Sequence, residues 1–224
     1  MNFFDSKSFI VTLQIKVLFM KNKQDYFEEI SEIRSLMERS SKFTSVSGLS
    51  GILAGIYALV GAFLLHTIVG FRPYGIMQSE VEFSGNEWGF FFIGAVVLLL
   101  AVGTAVYLSY RKAKILREPM WTATTRNMLF NMALPLLAGG VIVIVFFSYG
   151  LVGLLLPVTL IFYGLALYSA GNFTYPEIRI LGIIVTVIGL LAFCLIEYSV
   201  LLWAAGFGLM HIVYGTLIFL RHEK

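Results

Sequence analysis

The stretch TSVSGLSGILAGIYALVGAFLLHTIV, Thr44–Val69, runs for 26 residues without an Asp, Glu, Lys or Arg. A bilayer core about 30 Å thick is crossed by about 20 apolar residues at 1.5 Å rise each. The stretch therefore predicts a membrane-spanning helix. Five further stretches of the same kind follow, at Trp88–Tyr110, Met128–Ser148, Leu151–Tyr168, Ile180–Leu195 and Ser199–Leu220. The third and fourth meet at Ser148, Tyr149 and Gly150, and the fifth and sixth at Glu197 and Tyr198. Such short links predict helical hairpins.

Composition agrees with this count. Of 224 residues, 58% are hydrophobic and 13% charged, against about 45–50% and about 25% in a soluble domain. The mean hydropathy is +0.86. Sixteen Lys and Arg with 13 Asp and Glu are too few to cover a soluble surface of this size. The expected fold is all-α: a polytopic membrane bundle of six transmembrane helices in residues 43–224, preceded by a cytoplasmic segment, residues 1–42. A nucleic-acid-binding domain, a disulfide scaffold and a disordered chain are excluded, and Cys194, the one cysteine, has no partner within the chain.

Positive charge sets the direction, because Lys and Arg are retained in the cytoplasm. Lys7, Lys16, Lys21, Lys23, Arg34, Arg39 and Lys42 precede the first span; Arg111, Lys112, Lys114, Arg117 and Arg126 lie between the second and third; Arg179, Arg221 and Lys224 come later. With six spans all of these share one side and only Arg72 falls on the other. Both termini are then expected in the cytoplasm.

Within 21–42, Tyr26, Ile30, Ile33 and Met37 recur at helical spacing and predict an amphipathic helix. It reads either as a helix lying on the membrane or as a docking helix for a soluble cytoplasmic protein or a second copy. Residues 1–19 are hydrophobic but interrupted by Lys16, too short to span and unlike a signal peptide. One expectation is that translation begins at Met20, with residues 1–19 an upstream extension, and intact-mass measurement tests it.

Ser47, Gly51, Gly55, Ala58 and Ala62 line one face of the first span. Small residues let another helix backbone approach closely, either within the bundle or from a second copy through Gly51 and Gly55. Gly103, Gly164 and Gly215 each precede an aromatic by four residues, a weak signal of three repeated hairpins. In the sixth span Gly208 and Gly215 share a face with His211, about ten residues from Arg221 and so roughly 15 Å from the boundary. An ionisable group at that depth is a functional candidate, for proton handling or ligand contact; the plainer reading is a neutral histidine bonded to a neighbouring helix. Haem would need a second ligand at matching depth, which neither His66 nor His222 supplies, so no cofactor is expected.

Asn127, Asn131 and Pro135 share a face of the third span and, with Pro157, suggest either a polar vestibule or ordinary kinks. Residues 70–87, with Glu80, Glu82 and Glu87, read as a solvated external loop without metal-ligand spacing. There is no phosphate-binding glycine loop, H-E-x-x-H or G-x-S-x-G motif.

The sequence from Gly48 to Ala62, the helix ahead of it and the run from His211 to Gly215 resemble a family of small six-span bacterial membrane proteins with no assigned activity. The resemblance implies a bacterial cytoplasmic membrane and carries over no catalytic residue. The expected function is a non-enzymatic membrane component, regulatory, sensory or assembly-related, whose partners are the lipid bilayer and either a soluble protein or a second copy. The alternative is a small transporter or channel using His211 and Asn131.

Overall fold

The computed structural model describes residues 43, 45–76, 81–82 and 87–223. The segment 1–42, with its expected amphipathic helix, and Glu80 lie outside the described residues. Among the described residues, six helices are long and apolar enough to cross a membrane. They are α1 (Gly48–Thr67), α2 (Glu87–Leu116), α3 (Ala123–Ser148), α4 (Leu155–Ala170), α5 (Pro176–Cys194) and a composite sixth span, Ile196–His222. The sixth begins as a 3-10 turn, Ile196–Tyr198, continues as α6 (Ser199–Trp203), passes through a π-helical turn, Ala204–Leu209, and ends as α7 (Met210–His222). Every Lys and Arg among the described residues except Arg72 lies toward one end of the bundle, called here the basic end.

Sequence neighbours are not always spatial neighbours. The α4–α5 pair is the most extensive, followed by α3–α4, while α1 packs on α7 and on α2. Both outlying spans, α2 and α3, bury almost none of their apolar surface inside the chain, as expected where lipid supplies the solvent. Helix ends depart from the hydropathy boundaries because hydropathy marks the bilayer and hydrogen bonding marks the helix. Thus α2 continues through Arg111 and Lys112 to Leu116, leaving a short connection to α3. There Arg117 takes φ 57°, and the N–H groups of Arg117 and Glu118 bond the carbonyls of Lys114 and Ala113. Gly150, φ 73°, closes α3 with the same pair of bonds, to Phe147 and, from Leu151, to Phe146. Both are Schellman caps.

Close glycine contacts set two of the helix pairs. A Cβ on Gly48 would stand 2.5 Å from the Gly215 carbonyl oxygen, and one on Gly55 would stand 2.6 Å from that of Gly208. Between α4 and α5, a Cβ on Gly164 would lie 2.7 Å from the Gly182 carbonyl oxygen. By contrast, a Cβ on Gly103 meets nothing within 4 Å. The three glycines of the proposed repeat therefore have no common packing role.

The loop after α1 is less solvated than its charges suggest. Phe71 is fully buried and Val69 nearly so, with the Phe71 ring 5.1 Å from that of Phe90. Beyond it, β1 (Arg72–Pro73) pairs antiparallel with β2 (Val81–Glu82), Arg72 opposite Glu82. Burial of one large ring outweighs the solvation preference of its neighbours. The proline readings also separate: Pro135 lies inside α3, whereas Pro157 stands in the first turn of α4, where its missing N–H had no helical partner to lose.

Candidate functional site

His211 opens the second residue of α7, some 16 Å along the axis from His222 at helical rise, and only 5% of it is exposed. Its position follows from the π-helical turn. There the Met210 N–H reaches back to the Ala205 carbonyl instead of the usual Gly206, and His211 Nδ1 lies 3.0 Å from the Gly206 carbonyl oxygen. A carbonyl only accepts, so Nδ1 carries the proton. Nε2 then offers a lone pair in the neutral ring, and the Tyr163 hydroxyl, 2.9 Å away on α4, donates to it. Both ring nitrogens are satisfied by a backbone and a neighbouring helix.

Aromatic packing continues the site along one face. Phe207 stacks on His211 with ring centroids 6.0 Å apart and planes at 12°, Tyr163 sits 4.7 Å from Phe207, and Trp203 lies 4.9 Å from Phe207. The Trp203 indole N–H donates to Thr159 Oγ1 at 3.2 Å. Trp203, Phe207 and His211 step by four residues, facing Thr159 and Tyr163, which also step by four; this is the spacing that aligns side chains on a helix face. One turn further, the Tyr214 hydroxyl is buried without a hydrogen-bond partner among the described residues.

Asn127 and Asn131 are placed elsewhere. Both are exposed on α3, and the Asn131 amide donates to the Asn127 carbonyl at 2.7 Å, within its own helix. No hydrogen bond among the described residues joins either to His211. Ser47 is buried at the N-cap position of α1 but its hydroxyl does not cap the helix. Gly51 and Gly55 face the sixth span along its Gly208–Gly215 stretch, from the π-helical turn into α7. Among the described residues no cluster of three His, Cys, Asp or Glu could hold a metal.

A second polar site closes the basic end. Glu223 Oε1 accepts the Gly48 backbone N–H at 2.8 Å and pairs with Lys112 Nζ at 3.1 Å. The same ammonium donates to the Val46 carbonyl at 2.7 Å and lies 5.6 Å from the centre of the Tyr175 ring. Tyr175 stacks on His222 at 4.2 Å. Glu177 Oε1 receives Arg221 at 3.1 Å and faces His222 Nε2 at 3.6 Å. Burial first, then the carboxylates of Glu223, Glu118 and Glu177, hold the Tyr175 phenol above its ordinary range. Nearby, Phe43 N–H bonds the Phe173 carbonyl at 2.7 Å, and the Thr174 hydroxyl donates to the Phe43 carbonyl at 2.8 Å. The chain leading into α1 is thus tied to the α4–α5 turn, and the first turn of α1 to the end of the sixth span.

None of Lys112, Tyr175, Glu177 and Glu223 stands out by motif. Their signal is physical: carboxylates adjoining long apolar spans, at matching depth with Lys and Arg that face the same end. No protein-family model, curated protein or solved structure matches the chain.

Proposed function

We propose that this is a non-enzymatic integral membrane protein of a bacterial cytoplasmic membrane, with both termini in the cytoplasm, acting as a regulatory, sensory or assembly component. The observation that carries the reading is the Glu223 clasp. One carboxylate holds the first turn of α1 and the Lys112 ammonium of α2, while Lys112 also holds the Val46 carbonyl in the chain leading into α1. A partner that moves Val46 or Gly48 at the start of α1 would act on three spans through these bonds. The charge distribution supports the orientation, and the six long apolar helices among the described residues support the membrane.

The neutral, doubly bonded His211 fits a structural part better than a transport pathway. Asn131, exposed on α3 and bonded to its own helix, gives that pathway no second member. Quantitative co-purification from native membranes tests the reading, comparing the full chain with a variant lacking residues 21–42. Loss of a soluble cytoplasmic protein from the shortened but monodisperse bundle is expected. An unchanged set of partners overturns the docking role.

A further inference from the structure

At the end opposite the clasp, a cleft of about 720 Å³ opens between α1, β1 and the start of the sixth span. Its volume falls within the range of small-molecule pockets, about 300–1,000 Å³. One wall is apolar and reaches the lipid-facing surface: Leu59 and Phe63 from α1, Leu201 from α6, with Phe63 and Leu201 65% and 67% exposed. The rim is polar, formed by His66, Arg72 and Glu197. Arg72 is the one Lys or Arg at this end among the described residues. Its strand packs on the Ile196–Tyr198 turn that carries Glu197, yet no ion pair joins the two side chains, and neither pairs elsewhere among the described residues.

A cation and a carboxylate that flank one lipid-accessible slot without neutralising each other match a ligand with both charges and an apolar tail. We propose that this cleft binds one phospholipid with a zwitterionic headgroup bearing a phosphate and a primary ammonium. The Arg72 guanidinium holds the phosphate, the geometry for which its planar donors suit. The Glu197 carboxylate accepts N–H bonds from the ammonium, which has three donors to give. An acyl chain lies along Leu59, Phe63 and Leu201. A net-anionic headgroup would place its excess charge against Glu197, and a quaternary ammonium would have no N–H for it. The site lies apart from the clasp and does not depend on the function proposed above.

Native mass spectrometry of the full chain, released from nanodiscs of equimolar phosphatidylethanolamine, phosphatidylglycerol and phosphatidylcholine, tests this directly. One retained phosphatidylethanolamine per chain is expected, at least about fivefold above either competitor. Glu197→Gln is expected to shift retention toward phosphatidylglycerol, and Arg72→Gln to lose the retained lipid. Equal retention of the three lipids, a preference for either competitor, or a pattern unmoved by both substitutions would overturn the proposal. The wild-type competition needs no variant, so it stands even where a substitution impairs folding.

Discussion

The Glu223 carboxylate accepts the backbone N–H of Gly48 at 2.8 Å, across 175 residues of sequence. It supplies the helix cap that Ser47 does not, and a negative charge at a helix N-terminus is favourable to the dipole. The Lys112 and Glu223 side chains are only 16% and 14% exposed, so their pairing is screened far less than a surface ion pair.

Replacing Glu223 therefore has graded consequences. Glu223→Gln keeps an acceptor for Gly48 but removes the charge beside Lys112; Glu223→Ala removes both. The expected destabilisation is about 1 kcal/mol for the first and about 2–3 kcal/mol for the second, read from equilibrium unfolding in mixed micelles. Equal stability of both variants with the wild type would show that the clasp contributes nothing.

The tautomer of His211 is fixed by its partners, because the Gly206 carbonyl can only accept. Nitrogen-15 spectra of histidine-labelled protein are expected to show His211 protonated on Nδ1. Tyr163→Phe leaves Nε2 without its donor and should cost about 0.5–2 kcal/mol, the scale of interhelical hydrogen bonds in membrane bundles. A double-mutant cycle with His211→Ala isolates the coupling. An Nε2–H tautomer, or zero coupling, rejects the assignment.

Glycines in this chain divide sharply by surroundings. Gly215→Ala places a Cβ 2.5 Å from backbone atoms of α1, where neither helix can yield without separating. The expected cost is about 1–3 kcal/mol or more. Gly103→Ala and Gly140→Ala meet nothing within 4 Å and are expected to be neutral or slightly stabilising, since Ala is the better helix former. Comparable losses at Gly103 and Gly215 would place the α1–α7 contact in error.

The sequence made the spans legible because hydropathy measures each segment's own fit to a bilayer, without reference to its neighbours. The small-residue face of α1 was visible for a related reason: its spacing is local. His211 stood out as an ionisable group among apolar residues, but Tyr163 did not, since a tyrosine at helical spacing is ordinary among 11. The π-helical turn that brings Nδ1 to Gly206 leaves no local periodicity to read. Glu223 and Gly48 are joined only by the fold, and the burial of Phe71 depends on Phe90 beyond the loop. What pairwise contact decides, one-dimensional pattern does not carry.

Arg117 adopts φ 57° at the C-terminal cap of α2, a left-handed conformation that costs a side-chain-bearing residue about 1–2 kcal/mol. Glycine takes that conformation freely but loses more backbone entropy on folding. Arg117→Gly is expected to raise stability by about 0.5–1 kcal/mol, with the cap bonds from residues 117 and 118 retained. A drop in unfolding midpoint would mean that the guanidinium makes a contribution larger than the backbone strain.

Orientation is open to direct chemical labelling. Tyr149, 73% exposed, marks the end of α3 opposite the basic residues, and Trp121, 69% exposed, marks the connection between α2 and α3 at the basic end. In a Cys194→Ala background, Tyr149→Cys is expected to react with a membrane-impermeant maleimide in intact cells, and Trp121→Cys only after permeabilisation. The reason is that Lys and Arg are generally retained on the cytoplasmic side, and Arg111, Lys112, Lys114, Arg117 and Arg126 cluster around the α2–α3 connection. The reverse pattern would invert the bundle, turning the clasp outward and the Arg72–Glu197 cleft toward the cytoplasmic leaflet. Labelling of both sites in intact cells would instead mean that α3, the single span between them, does not cross the bilayer, and the six-span topology would fall with it.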